Sequence, residues 1–348
     1  MTFLFVIFCV MLSLMLFPLL LGRYSRDSEG QEPLFIKADN VKDPRYFAKS
    51  FREKLHSALE NHQEGNVLHL SKDEKVLFAD GVTFTPKSEV NEVVLANNVL
   101  LNIPSQCVFQ KEIYSGKNAR VGLRTTIRAL AGMENVELNH RVKVVRWVDA
   151  ENTLTIHEDC DLGISATAGK RITIASGCMF RRLYAPEIYT GNEAWDDRVE
   201  RIDHHEEDLP DSGRVFRENR VPAHEKRTES VISSGDLTLE PNCEVMQSVH
   251  ADKNLHICSG SIVRKNVFAD GDIVIEDNVI IGGHVFAQKD IFIGRRCRIG
   301  TPGQTKSIIA RNSIVLARGS VFYSYIGSEQ ESRVVDQEVF FELISDRF

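Results

Sequence analysis

The chain has 348 residues, 43% hydrophobic and 26% charged, with a formal net charge of −7. That is enough length for a sizeable core, and the acidic balance argues against a protein built to hold nucleic acid. Seven cysteines without C-x-x-C or zinc-ligand spacing exclude the common zinc modules and the dithiol redox motif.

Residues 3–21 carry no charge and consist of Phe, Leu, Ile, Val and Met with Cys9, Ser13 and Pro18. A helix of that length spans about 28 Å, close to the hydrocarbon core of a bilayer. A cleaved signal peptide would need a basic start, a shorter apolar run and a small-x-small cleavage site. Here no Lys or Arg precedes the run, and Gly22-Arg23-Tyr24 follows it. Residues 1–22 therefore read as a transmembrane anchor, with Phe3, Phe5, Phe8, Leu12, Leu16 and Leu20 among its membrane residues. Arg23, Arg26, Lys37, Lys42 and Arg45 all follow the run, so the positive-inside rule keeps the body in the cytoplasm. Unpaired cysteines agree with a reducing compartment.

Residues 23–62 read as a tether followed by a short amphipathic helix over 44–60. Phe47, Phe51, Leu55 and Leu59 fall on one apolar stripe, which predicts a helix packed on the next domain. From residue 63 onward the chain reads as a β-solenoid of about 18 residues per turn. Turns start at Leu101, Ala119, Val136, Leu154 and Ile172 in a first block, 63–190. They start at Leu237, Leu255, Ile273, Ile291 and Ile314 in a second, 231–328. Inward side chains recur at fixed phases, and in the second block these are Leu237, Leu239, Val245, Leu255, Ile257, Val263, Ile273, Ile275, Ile281, Ile291, Ile293 and Ile299. Short strands alternate in and out, and one turn cannot bury its own apolar face, so stacked turns make one core.

Cys107, Cys160, Cys178, Cys243 and Cys297 share the seventh position of their turns. That recurrence assigns them to core packing; a reactive thiol would be singular and set among charged partners. Cys258 breaks the phase and falls at a corner. Between the blocks, 191–230 is a charged, flexible insertion with an acidic half containing His204-His205-Glu206-Glu207-Asp208. Its basic half contains Arg214, Arg217, Arg220, Lys226 and Arg227. The histidines lack ligand spacing, so no metal is assigned. Residues 329–348 form a C-terminal segment, apolar over 339–344, that would serve as a cap.

Three successive corners read Val249-His250-Ala251-Asp252-Lys253-Asn254-Leu255-His256-Ile257, Val267-Phe268-Ala269-Asp270-Gly271-Asp272-Ile273-Val274-Ile275 and Val285-Phe286-Ala287-Gln288-Lys289-Asp290-Ile291-Phe292-Ile293. This recurrence resembles the bactofilins, bacterial polymer-forming cytoskeletal proteins, most clearly over 231–327. The resemblance implies a right-handed, three-sided β-helix and cofactor-free self-assembly into filaments. It also implies association with the inner membrane, and a role in cell shape or in positioning envelope-synthesis or wall-modifying proteins. This chain departs from a single compact block by its two blocks, its insertion and its flanking segments. If those segments cap the ends, a membrane-tethered docking rod replaces the filament. The enzymatic rival is a hexapeptide-repeat-like acyltransferase, for which His284, after Gly282-Gly283, and then His157 are the candidate bases. No Ser/His/Asp set, P-loop or H-E-x-x-H supports it, and the expectation is a scaffold without catalytic residues.

Overall fold

The computed structural model describes residues 43–60, 68–71, 74–191 and 215–345. Phe3, Phe5, Phe8, Leu12, Leu16 and Leu20, read from the sequence as an anchor, and His204–Asp208 of the insertion lie outside the described residues. Among the described residues no helix is long and apolar enough to cross a membrane.

The body is an all-β parallel solenoid. Leu237–Leu239, Leu255–Ile257, Ile273–Ile275 and Ile291–Ile293 stack in register, each 18 residues after the last. The triplets Val249–Ala251, Val267–Ala269 and Val285–Ala287 build a second wall, and the pairs Glu244–Val245, Ile262–Val263 and Ile280–Ile281 a third. A 22-stranded sheet forms two walls of the rod and a 12-stranded sheet the third. First and third residues of each triplet point inward because the strand period is two. Leu237, Leu239, Val245, Leu255, Ile257, Val263, Ile273, Ile275, Ile281, Ile291, Ile293 and Ile299 are at most 1% exposed. One core runs from Ala79 to Val334 without interruption.

The corner that precedes the cysteine phase is made by a residue in the left-handed region. In the first block these are Gln106, Arg124, Arg141, Asp159 and Gly177; in the second they are Asn242, Gly260, Asn278 and Arg296. The next residue then turns its side chain into the corner, and where it is a cysteine, serine or threonine it donates to a carbonyl about 21 residues back, whereas Val142 and Val279 fill the same place without a donor. Cys160 Sγ reaches Asn139 O at 3.1 Å, Cys178 Sγ reaches His157 O at 3.0 Å, and Cys297 Sγ reaches Glu276 O at 3.0 Å. Hydroxyls do the same on other rungs: Thr125 Oγ1 to Pro104 O at 2.8 Å and Ser261 Oγ to Glu240 O at 3.0 Å. Cys107, Cys160, Cys178, Cys243 and Cys297 are all buried. Burial pushes the Cys297 thiol up to about 12, so it stays a protonated donor.

The two blocks meet end to end through their last turns. Met179–Tyr184 pairs antiparallel with Ser324–Val335, and Glu187–Thr190 pairs antiparallel with Val321–Phe322. All three walls continue across this seam: Phe180 opposes Ser332, Leu183 opposes Ile326, and Ile188 opposes Phe322. The C-terminal edge of each block therefore satisfies the other's unpaired backbone groups. The start of the second block, at Val215, lies at the far end from the seam.

Three sequence expectations change. The insertion is shorter than 191–230, because Val215–Arg217, Arg220–Val221 and Lys226–Arg227 are strands of the second block's first turn. Side chains that read as a solvated run find partners there: Arg227 stacks 4.0 Å from the Phe216 ring and pairs with Glu225 at 2.8 Å. The segment 329–348 does not close an outer end. Its strand, Ser324–Val335, completes the seam, and helix α2, Gln337–Ser345, lies along a wall with Phe340 against Val274, Phe292 and Val315. The N-terminal helix α1, Tyr46–Glu60, packs on the first block, but Phe47 of the expected stripe is 49% exposed. Leu55 of that stripe is buried beside Val93, with Phe51 and Leu59 packed around it, and Ala48 takes the place of Phe47 beside Ala129, Ala131 and Trp147. The reason is electrostatic. Arg45 makes a two-pronged contact with the buried Asp149 at 2.8 and 2.9 Å, and Arg52 also binds it, which sets the rotation of α1 about its axis.

Candidate functional site

The candidate surfaces are those that the two helices leave open. Helix α1 covers the outward side chains of one wall of the first block, and α2 covers those of one wall of the second. Among the described residues neither helix covers the outward row Ile232, His250, Phe268, Phe286 and Ile309. These side chains sit in register on successive turns of the second block. At the seam the row opens into a cavity of about 510 Å³ lined by Phe268, Phe286, Ile309 and Tyr325, with Arg182, Arg311 and Glu329 among its polar residues. Gly327 makes room there: a Cβ at that position would stand 2.8 Å from the Tyr325 ring. Burial pushes the Tyr325 phenol up, so it is a neutral donor.

The two ends of the rod differ. At the first block, His69–Ser71 pairs antiparallel with Glu74–Phe78 and covers one wall of the outer edge, while Glu89–Val90 and Leu101–Ile103 each pair on one side only among the described residues. Phe84 closes the core below it, edge-on to Phe109 with ring centroids 5.3 Å apart. At the second block, Val215–Arg217, Arg220–Val221 and Lys226–Arg227 each pair on one side only among the described residues. Val215 is 49% exposed. Lys226 pairs with Glu244 and Arg220 with Glu240, so the rim around this edge is charged and internally neutralised.

The histidines proposed as bases are engaged locally. His284 Nδ1 accepts the Ser307 N–H at 3.0 Å and its ring stacks on Phe286. Burial, with Lys306 nearby, pushes His284 down and favours the neutral ring. His157 Nε2 lies 3.2 Å from Glu137 and its ring packs on His140. His157 and His284 belong to different blocks, and the fold does not bring them together.

A grouping that sequence reading missed lies beside α2's wall. His256 Nε2 stands 2.8 Å from Glu276 Oε1, and Cys258 completes a group whose donor atoms all lie within 4.8 Å of one another. The spacing was the available signal: Glu276 follows Cys258 by one 18-residue turn, so the two share a column. The hydrogen bond from His256 holds the Glu276 carboxyl at about 2, against a desolvation that would raise it. Burial pushes the Cys258 thiol up to about 12, with Glu276 and Glu240 adding to the shift.

No family model, curated protein or solved structure matches the chain.

Proposed function

We propose that this chain is a non-enzymatic scaffold, held at the cytoplasmic face of a bacterial inner membrane by residues 1–22. Copies join end to end through the open edge of the second block. The resemblance to bactofilins supports a right-handed coil and a role in cell shape or in positioning envelope-synthesis proteins. The observation that carries the reading is the antiparallel seam between Met179–Tyr184 and Ser324–Val335. An ordinary solenoid has one N-terminal and one C-terminal edge, and their head-to-tail pairing grows without limit. Here both C-terminal edges are consumed, and the first block's N-terminal edge is covered on one wall by His69–Ser71 and stoppered over the core by Phe84. The second block's N-terminal edge, open on all three walls, then pairs with its own copy about a twofold axis, which closes on a dimer. The assembly is then a docking rod of two chains rather than a filament, with lateral rows such as Phe268–Phe286 turned to partners.

Light scattering on the full chain in detergent tests this. A dimer is expected, and Phe216→Glu at the open edge should reduce it to a monomer with unchanged circular dichroism. Filaments in electron micrographs, or a wild-type monomer at high concentration, would reject the closed dimer.

A further inference from the structure

Among the described residues Cys258 is the cysteine that is not buried. Residues two apart in a strand share a face, and adjacent strands stand about 4.8 Å apart. His256 and Cys258 therefore point the same way, and the column that stacks Ile257 on Ile275 continues to stack Cys258 on Glu276. The result is an imidazole nitrogen, a sulfur and a carboxylate oxygen within 4.8 Å of one another. Glu276 is held in place from behind: Ser259 donates its N–H and its hydroxyl to Oε2 at 2.9 and 2.8 Å. The other oxygen, Oε1, faces His256 Nε2. The Glu276 backbone is pinned as well, since its carbonyl accepts from Cys297 Sγ. Side chains on rigid strands with such outer support are the arrangement that metal sites require.

We propose that His256 Nε2, Cys258 Sγ and the Glu276 carboxylate bind a borderline-soft divalent cation, Zn²⁺, with water as fourth ligand. Ligand bonds of about 2.0–2.3 Å put tetrahedral donors about 3.3–3.6 Å apart. The 2.8 Å contact between His256 and Glu276 then opens by under an ångström, within the reach of side-chain torsions. The mixed N/S/O set disfavours Ca²⁺ and Mg²⁺, which take oxygen. On binding, the Cys258 S–H bond breaks, its proton leaves to solvent and the sulfur–metal bond forms, with no change of oxidation state. The site ties together the turns that carry Leu255–Ile257 and Ile273–Ile275, a constraint that the scaffold reading does not require. A second group, His250, Asp252 and Asp270, has the same layout in sequence but offers no sulfur.

Co²⁺ titration of the purified full chain is the test. One equivalent should produce thiolate-to-metal charge-transfer absorption in the near ultraviolet and the visible bands of tetrahedral Co²⁺, both erased by one equivalent of Zn²⁺. Cys258→Ser should abolish the charge-transfer band. Glu276→Gln, which preserves shape, should weaken Zn²⁺ at least as much as the roughly 10–100-fold seen for supporting residues. His250→Ala should change nothing. Absence of the band in the wild type, its survival in Cys258→Ser, or its loss in His250→Ala would overturn the assignment.

Discussion

Thr190 and Ser320, 130 residues apart in the chain, grip one another across the seam. The Ser320 N–H donates to Thr190 Oγ1 at 3.0 Å, and the same hydroxyl donates to the Ala317 carbonyl at 2.9 Å. Thr190 is buried, so both groups depend on each other rather than on water. Thr190→Val keeps the shape and removes the hydroxyl. It should cost about 1–3 kcal/mol through the unsatisfied Ser320 amide, read as a lower denaturation midpoint and faster exchange of that amide. Thr153→Val, at an exposed hydroxyl bonded to Asn135, should cost far less.

Asp149 is the pivot of α1. Its carboxylate accepts from Arg45, Arg52 and Thr167 while nearly fully buried. Asp149→Ala leaves Arg45 and Arg52 with only the half-exposed Glu151 as counter-charge and should destabilise by about 3 kcal/mol, the lower end for a broken buried pair. Converting Arg45, Arg52 and Asp149 together to apolar residues should recover most of that loss, because a buried ion cluster is weakly stabilising as a unit. Limited proteolysis within α1 reads both outcomes, and equal damage from the single and triple changes would contradict the argument.

The corner thiols act as donors. Cys178→Ser keeps a donor toward His157 O and should stay within about 1 kcal/mol of wild type. Cys178→Val fits the space, as Val142 does at the same phase, but loses the donor and should cost more, about 1–3 kcal/mol. Chemical denaturation of the pair decides it.

Phe340 anchors α2. Its ring is fully buried against the wall that carries Val274, Phe292 and Val315. Phe340→Ala should lose about 3–5 kcal/mol of packing, more than a nine-residue helix can spare. The helix should detach, seen as rapid amide exchange over Gln337–Ser345 and as binding of a hydrophobic dye to the uncovered wall.

Much of the fold is legible in one dimension because its physics is local. An inward residue must recur each time the coil returns, so Leu237, Leu255, Ile273 and Ile291 fall 18 apart, and the cysteines fall in phase with them. The left-handed corners are less legible. Gln106, Arg124 and Arg296 carry no turn signature, and the register of neighbouring rungs imposes their positive φ. The His256–Cys258–Glu276 group follows from the period once the period is read as a column as well as a spacing.

By itself the sequence determined that this is a stacked coil, where its rungs begin, and that the five cysteines in phase with them belong to the interior. Repeats encode contacts with the neighbouring turn, and those need no knowledge of distant chain. Only the tertiary structure decided that the blocks meet antiparallel, that α2 lies on a wall, and which end of the rod is open on all three walls. Each of those turns on two edges or faces from remote segments fitting together: Thr190 with Ser320, Phe340 with Val274. An amphipathic pattern states that a face will be buried and leaves its partner unspecified.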